Sequence, residues 1–253
     1  MSIAYDEKNR TITLHTKNTT YQMQIDRYGF LLHLYYGERA DGCMDYLLTR
    51  YDRGFSGNPY DAGSDRTYSM DVQPQEFPTL GTGDYRSPAC IIENTDGTRS
   101  CDFRYVSHTI CDGKPALQGL PAVYADAQEA QSLEIVLCDA ATGVRAVLLY
   151  AVLPEYDMIT RSVRIENAGT GRITIEKLSP ACLDLVTGAY DLITLCGTYA
   201  FERGMQRVPL RQGISKNGSL RGTSSHQYNP VAVLAEPARS VASCSASTAT
   251  GLY

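Results

Sequence analysis

Apolar side chains recur along this chain with a period of two, and almost nowhere with a period near 3.6. Residues 158–167 show it most plainly: Ile159, Val163 and Ile165 fall on one face, Thr160, Ser162, Arg164 and Glu166 on the other. That alternation marks a strand with one buried face. Similar β-rich runs stand at 11–16, 21–25, 31–36, 90–93, 98–105, 132–138, 144–153 and 173–178, with turn residues between them. Lys17-Asn18 is predicted to turn one hairpin. Asn94-Thr95-Asp96-Gly97 is predicted to turn another, its Asp-Gly suiting a tight turn, and Ala168-Gly169-Thr170-Gly171 is read as a third. No stretch joins a cap, a turn-spaced apolar stripe and a stop signal, so helices are not expected. Strands at this spacing, without helices between them, predict an all-β chain built as a large antiparallel β-sandwich.

A length of 253 residues with 43% hydrophobic and 20% charged side chains supports a sizeable core and excludes wholesale disorder. The net charge of −5 and the scatter of Lys and Arg argue against a nucleic-acid face and against a polybasic membrane segment. The longest apolar run, 144–153, contains Arg145 and is far too short to cross a bilayer. Residues 1–8 lack the apolar segment of a secretory signal, so a cytoplasmic setting is expected. Eight cysteines occur without any C-x-x-C spacing, and histidines number only four. Zinc and redox sites draw ligand pairs from one tight turn, so no metal or other cofactor is expected and the thiols read as reduced core residues. His15, His33 and His108 read as packed or hydrogen-bonded side chains.

Two regions break the strand rhythm. Residues 49–89 are rich in polar, Gly and Pro positions and predict a long ordered excursion. Residues 238–253 are mostly Ser, Ala and Thr, a composition that suits a flexible tail.

The excursion reads RGFSGNPYDAGSDRTYSMD over 53–71 and VQPQEFPTLGTGDYRSPA over 72–89. Together with LHLYYG (32–37), GKPALQGLPA (113–122), ITRSVR (159–164), YDLI (190–193), RGTSSHQ (221–227) and Asn229-Pro230, it resembles the N-terminal domain of family 36 glycoside hydrolases, the microbial α-galactosidases or melibiases. The ordered set of segments runs to about Pro237. The resemblance implies a galactose-mutarotase-like β-supersandwich over residues 1–237 as one domain, followed in the family by a (β/α)₈ barrel. It implies hydrolysis of terminal α-galactosides of the melibiose and raffinose type with retention, through two aspartates that both lie on that barrel. No catalytic residue is therefore assigned in this chain. The expected partners are α-galactoside oligosaccharides, the catalytic barrel and, in a full-length form, further copies of the protein; nucleic acid and membrane are not expected.

Ser64-Asp65-Arg66-Thr67 lies in the excursion, where the resemblance implies a loop that reaches a sugar pocket. Asp65 and Arg66 are the expected substrate-binding residues: a carboxylate accepts from two hydroxyls and a guanidinium donates two bonds from its fork. The competing reading is a local ion pair bracing the loop. Two other functions stay open: a stand-alone carbohydrate-binding or interaction module, and a sugar epimerase using His226 and Glu76 as acid and base. The family also carries a Glu-x-Tyr/Phe-Gly-Phe strand near residue 242. One permitted codon choice for 242–247, read two bases later, spells Glu-Leu-Phe-Gly-Phe. A frameshifted end is thus one expectation for 238–253, and it would leave the edge of the last sheet unpaired.

Overall fold

The computed structural model describes residues 2–52, 54, 58–117, 119, 123–185, 188–220, 227–237 and 248–250. The chain divides into two units, Met1–Leu185 and Val186–Tyr253. No α-helix occurs among the described residues, as the missing 3.6 period predicts.

In the first unit, β1 (Ile3–Asp6), β2 (Thr11–His15), β3 (Thr19–Ile25) and β4 (Leu31–Glu38) form one antiparallel meander. β5 (Cys90–Glu93) is followed by a second meander of β6 (Phe103–Asp112), β7 (Gln131–Asp139), β8 (Val144–Leu153) and β9 (Met158–Asn167). β10 (Thr174–Leu178) pairs with β5 as a two-stranded sheet. Ile12, Leu14, Met23 and Ile25 of the first meander share one apolar core with Leu133, Ile135, Leu148 and Val152 of the second. Each such side chain contributes about 1.5–3 kcal/mol on burial, so this shared core dominates the unit's stability.

β4 is buried on both faces. Leu31 joins the shared core, while Phe30, Leu32 and Leu34 enter a second cluster with Met44, Leu48, Ala62, Tyr68 and Met70. The excursion expected at 49–89 is thereby laid onto the outer side of β4. It touches the sheets again through isolated bridges, Leu32 to Gln75 and Thr79 to Cys90.

Two predicted hairpins are corrected. The turn at residues 94–97 closes, with Gly97 N–H donating to the Asn94 carbonyl, but β5 then pairs with β10 rather than with the chain beyond the turn. Asn94 N–H still donates across the turn to the Thr98 carbonyl, but beyond it the chain turns to other partners: Cys101 N–H donates to the Leu80 carbonyl and Thr79 Oγ1 to the Cys101 carbonyl. Residues 168–171 likewise carry the chain from one sheet to another, since β9 pairs with β8 and β10 with β5.

In the second unit, β11 (Asp191–Thr198), β12 (Phe201–Pro209), β13 (Tyr228–Ala235) and β14 (Thr248–Thr250) form an antiparallel sheet in the order β12-β11-β13-β14. The edge of β13 expected to stand open is paired by β14 over Ala232, Val233 and Leu234. Backbone groups alone make that ladder, so it needs no family-like side chains. Residues 238–247 and 251–253 of the tail lie outside the described residues.

Candidate functional site

Asp65 and Arg66 are adjacent in sequence but are held by different parts of the protein. Their support begins in the turn between β3 and β4. The buried Asp26 carboxylate accepts the Tyr28 and Phe30 N–H groups at 2.9 and 2.8 Å and, on its other oxygen, the Tyr68 hydroxyl. Gly29, with φ of +84°, lets this turn close. From the same turn Arg27 reaches outward over the Tyr28 ring, 4.7 Å from its centroid, and donates to Asp65 Oδ2.

Asp65 Oδ1 accepts from Thr67 Oγ1 at 2.6 Å and from Thr67 N–H at 3.0 Å. Its backbone carbonyl accepts from Asn58 Nδ2 at 2.7 Å. The Thr67 hydroxyl and N–H, with Arg27, hold the Asp65 carboxyl below its ordinary range, so it presents a carboxylate at neutral pH. Arg66 turns the other way. Its Nε donates to the Gly54 carbonyl at 3.2 Å and lies 3.3 Å from Asp52 Oδ1, with both side chains more than half exposed. An exposed pair of this kind contributes about 0–1 kcal/mol.

The buried polar centre of the unit lies elsewhere in the excursion, at Glu76. Its carboxylate is fully enclosed, accepts from the Tyr21 hydroxyl at 2.6 and 2.8 Å and from the Tyr150 hydroxyl at 2.6 Å, and forms an ion pair with Arg161, whose Nη1 lies 2.7 Å away. His33 Nδ1 stands 3.5 Å away, a contact too long and poorly aligned to count as a full hydrogen bond. Arg161 also donates to the carbonyls of Glu76 and Cys182, at 2.8 and 3.2 Å. Burial disfavours the Glu76 charge, but Arg161, His33 and Tyr150 outweigh it and hold the carboxyl below its ordinary range. Burial raises both tyrosines well above theirs.

A second brace secures the returning half of the loop. Arg86 donates Nε and Nη2 to the two oxygens of Asp84, at 2.9 and 2.8 Å, and Nη1 to Asp184 at 3.0 Å. Gln75 Nε2 donates to Asp84 as well.

An epimerase would need Glu76 open to a sugar ring, and no oxygen of it is. His226, the imagined partner acid, lies outside the described residues. Two clefts, of about 530 and 510 Å³, are lined at the ends of the second meander and include neither Asp65 nor Arg66. His15 bonds Thr20 Oγ1 at 2.9 Å and His108 bonds the Tyr105 hydroxyl at 2.7 Å, whereas His33 is packed against the Tyr21 ring without a full hydrogen bond.

Residues 29–250 match the model of the glycosyl hydrolase family 36 N-terminal domain. The chain belongs to glycosyl hydrolase family 36. Over 236 residues it is 58% identical to the bifunctional alpha-galactosidase/sucrose kinase AgaSK of Mediterraneibacter gnavus, covering 93% of this chain and 25% of that protein. The solved galactosidase domain of AgaSK superposes with a TM-score of 0.90 over 92% of this chain and 32% of that one. Alpha-galactosidase AgaA of Geobacillus stearothermophilus is 41% identical over 92% of this chain and 32% of its own length. Its raffinose complex superposes with a TM-score of 0.85 at 40% identity, over 89% of this chain and 32% of that one. AgaA has also been solved with stachyose. The chain thus spans a quarter to a third of these relatives. The family 36 match includes Asp65, Arg66, Glu76 and Arg161, so the whole braced excursion falls within it.

Proposed function

We propose that this chain is the non-catalytic N-terminal part of an α-galactosidase that cleaves terminal α-galactosides of the raffinose and stachyose type with retention. Its work is to present one wall of the active site and to contribute to assembly of the oligomer, in the cytoplasm. The observation that carries this reading is the way the excursion is fixed. The Asp26 turn fastens it at Tyr68 and the enclosed carboxylate at Glu76, while Asp65, just before the Tyr68 anchor, is held ionised at the surface. A loop so anchored suits positioning of a sugar better than catalysis by its own groups. The relatives' complexes with raffinose and stachyose supply the substrate class.

In this reading Asp65 accepts bonds from sugar hydroxyls, and Arg66 donates to them. The test is Asp65→Ala in a full-length protein carrying this domain, with folding and oligomer size checked. Loss of a substrate bond lowers kcat/KM by about 1–3 kcal/mol of transition-state stabilisation. Unchanged kinetics in a correctly assembled enzyme would reduce Asp65 to a loop brace for Arg27.

A further inference from the structure

Neighbouring residues of one turn hold the excursion at two points. Asp26 accepts the Tyr68 hydroxyl, and Arg27 donates Nη2 to Asp65 Oδ2. Between those points the excursion is itself a tight turn, in which Tyr68 N–H donates to the Asp65 carbonyl at 3.4 Å. Arg27 is held in its turn. Its guanidinium lies 4.7 Å from the Tyr28 ring centroid and 5.8 Å from that of Tyr68. The two rings meet edge to face at 4.8 Å, and Tyr68 is fully buried. A planar guanidinium laid on aromatic rings gives up little freedom when it makes a directed bond. Asp26, Tyr68 and Tyr28 thus form a frame that aims Arg27 at Asp65.

The acceptor capacity of Asp65 can be counted. A carboxylate has about four lone-pair directions, two on each oxygen. Oδ1 takes the Thr67 hydroxyl and the Thr67 N–H, and Oδ2 takes Arg27. One direction stays open, on Oδ2, in a side chain that is 31% exposed. The carboxylate expected from the sequence to serve two sugar hydroxyls therefore has room for one. The group beside that opening is Arg27, because Arg66 is turned to Gly54 and Asp52.

We propose that Arg27 is a positioning residue that sets the specificity of the sugar contact: by occupying one lone pair of Asp65 Oδ2, it leaves the carboxylate a single acceptor direction, which pairs with one hydroxyl of a terminal galactoside. This inference rests on the reading of Asp65 as a sugar contact, and Arg27 acts through Asp65. Without Arg27 the second direction opens and the carboxylate can turn, so the contact loses its choice of hydroxyl.

The experiment uses a full-length protein carrying this domain and nitrophenyl α-galactosides that each lack one sugar hydroxyl. kcat/KM is measured for the parent protein, Asp65→Ala, Arg27→Ala and Arg27→Lys, and the cost of each missing hydroxyl is compared across them. Arg27 is 56% exposed and the Asp26–Tyr68 bond remains, so its removal leaves the fold in place; oligomer size is checked in each variant. In the parent protein one hydroxyl should couple to Asp65, its loss costing about tenfold more than in Asp65→Ala. Arg27→Ala should abolish most of that coupling or share it with a second hydroxyl. Arg27→Lys, which can still donate once to Oδ2, should restore part of it. A loop that is only loosened slows every substrate alike and singles out no hydroxyl. Undiminished coupling to the same hydroxyl in Arg27→Ala would overturn the inference and leave the sugar reading standing. Two hydroxyls coupled to Asp65 in the parent protein would also overturn it. Coupling of no hydroxyl to Asp65 would remove the sugar reading, and the inference with it.

Discussion

Two tyrosine hydroxyls and a guanidinium converge on the Glu76 carboxylate, which no water reaches. Such a group is stable only while each partner stays in place, because removing one leaves an uncompensated buried charge. Glu76→Gln should therefore destabilise the first unit by about 3–5 kcal/mol in denaturant melts. Joining it to Arg161→Met, which removes the stranded cation, should cost less than the two single changes added together. The pH dependence has a fixed sign. The folded carboxyl titrates below its ordinary value of 4.5, so its stabilisation is complete above that pH and is lost as pH falls through the lower folded value. Acid unfolding of Glu76→Gln should lack that component; an unchanged acid limb would refute the assignment. Tyr68→Phe removes a hydrogen bond to the buried Asp26 side chain, and should cost about 1–3 kcal/mol. Arg161 was legible only as an exception: it sits on the inward face of an otherwise alternating strand, where a charge requires a buried partner.

At the scale of elements, strands with one buried face were readable because burial writes the period of two into them. β2, β3, β4, β7, β8 and β9 lie close to where alternation places them. β12 escaped, since it is exposed along its whole length and nothing imposes alternation on it. The turns at 94–97 and 168–171 show a second limit: turn residues specify that the chain bends, not which strand it pairs with afterwards. Asp65 and Arg66 were legible as a motif, but Arg27, contributed from 38 residues earlier, carries no local signal. β4 yields the sharpest test at this scale. Leu32→Ala opens a cavity beneath the excursion and should cost about 2–5 kcal/mol. Proteolysis within 49–89 should quicken in that variant more than in Leu148→Ala, whose side chain lies in the shared core.

At the scale of the whole molecule, the chain alone should not turn over nitrophenyl α-galactoside, because the resemblance places both carboxyls of the retaining mechanism on the barrel. Turnover abolished by an Asp substitution in this chain would reverse that view. The phenol-to-carboxylate bonds have one more consequence. With 18 tyrosines, five phenylalanines and no tryptophan, the chain's near-ultraviolet emission is dominated by tyrosine. A phenol that donates to a carboxylate loses its proton to it readily in the excited state, and the tyrosinate so formed emits weakly, so Tyr21, Tyr68 and Tyr150 should be dim while the first unit is folded. Unfolding should therefore brighten the protein, giving it a built-in optical gauge that reads the integrity of its buried polar centres without any label.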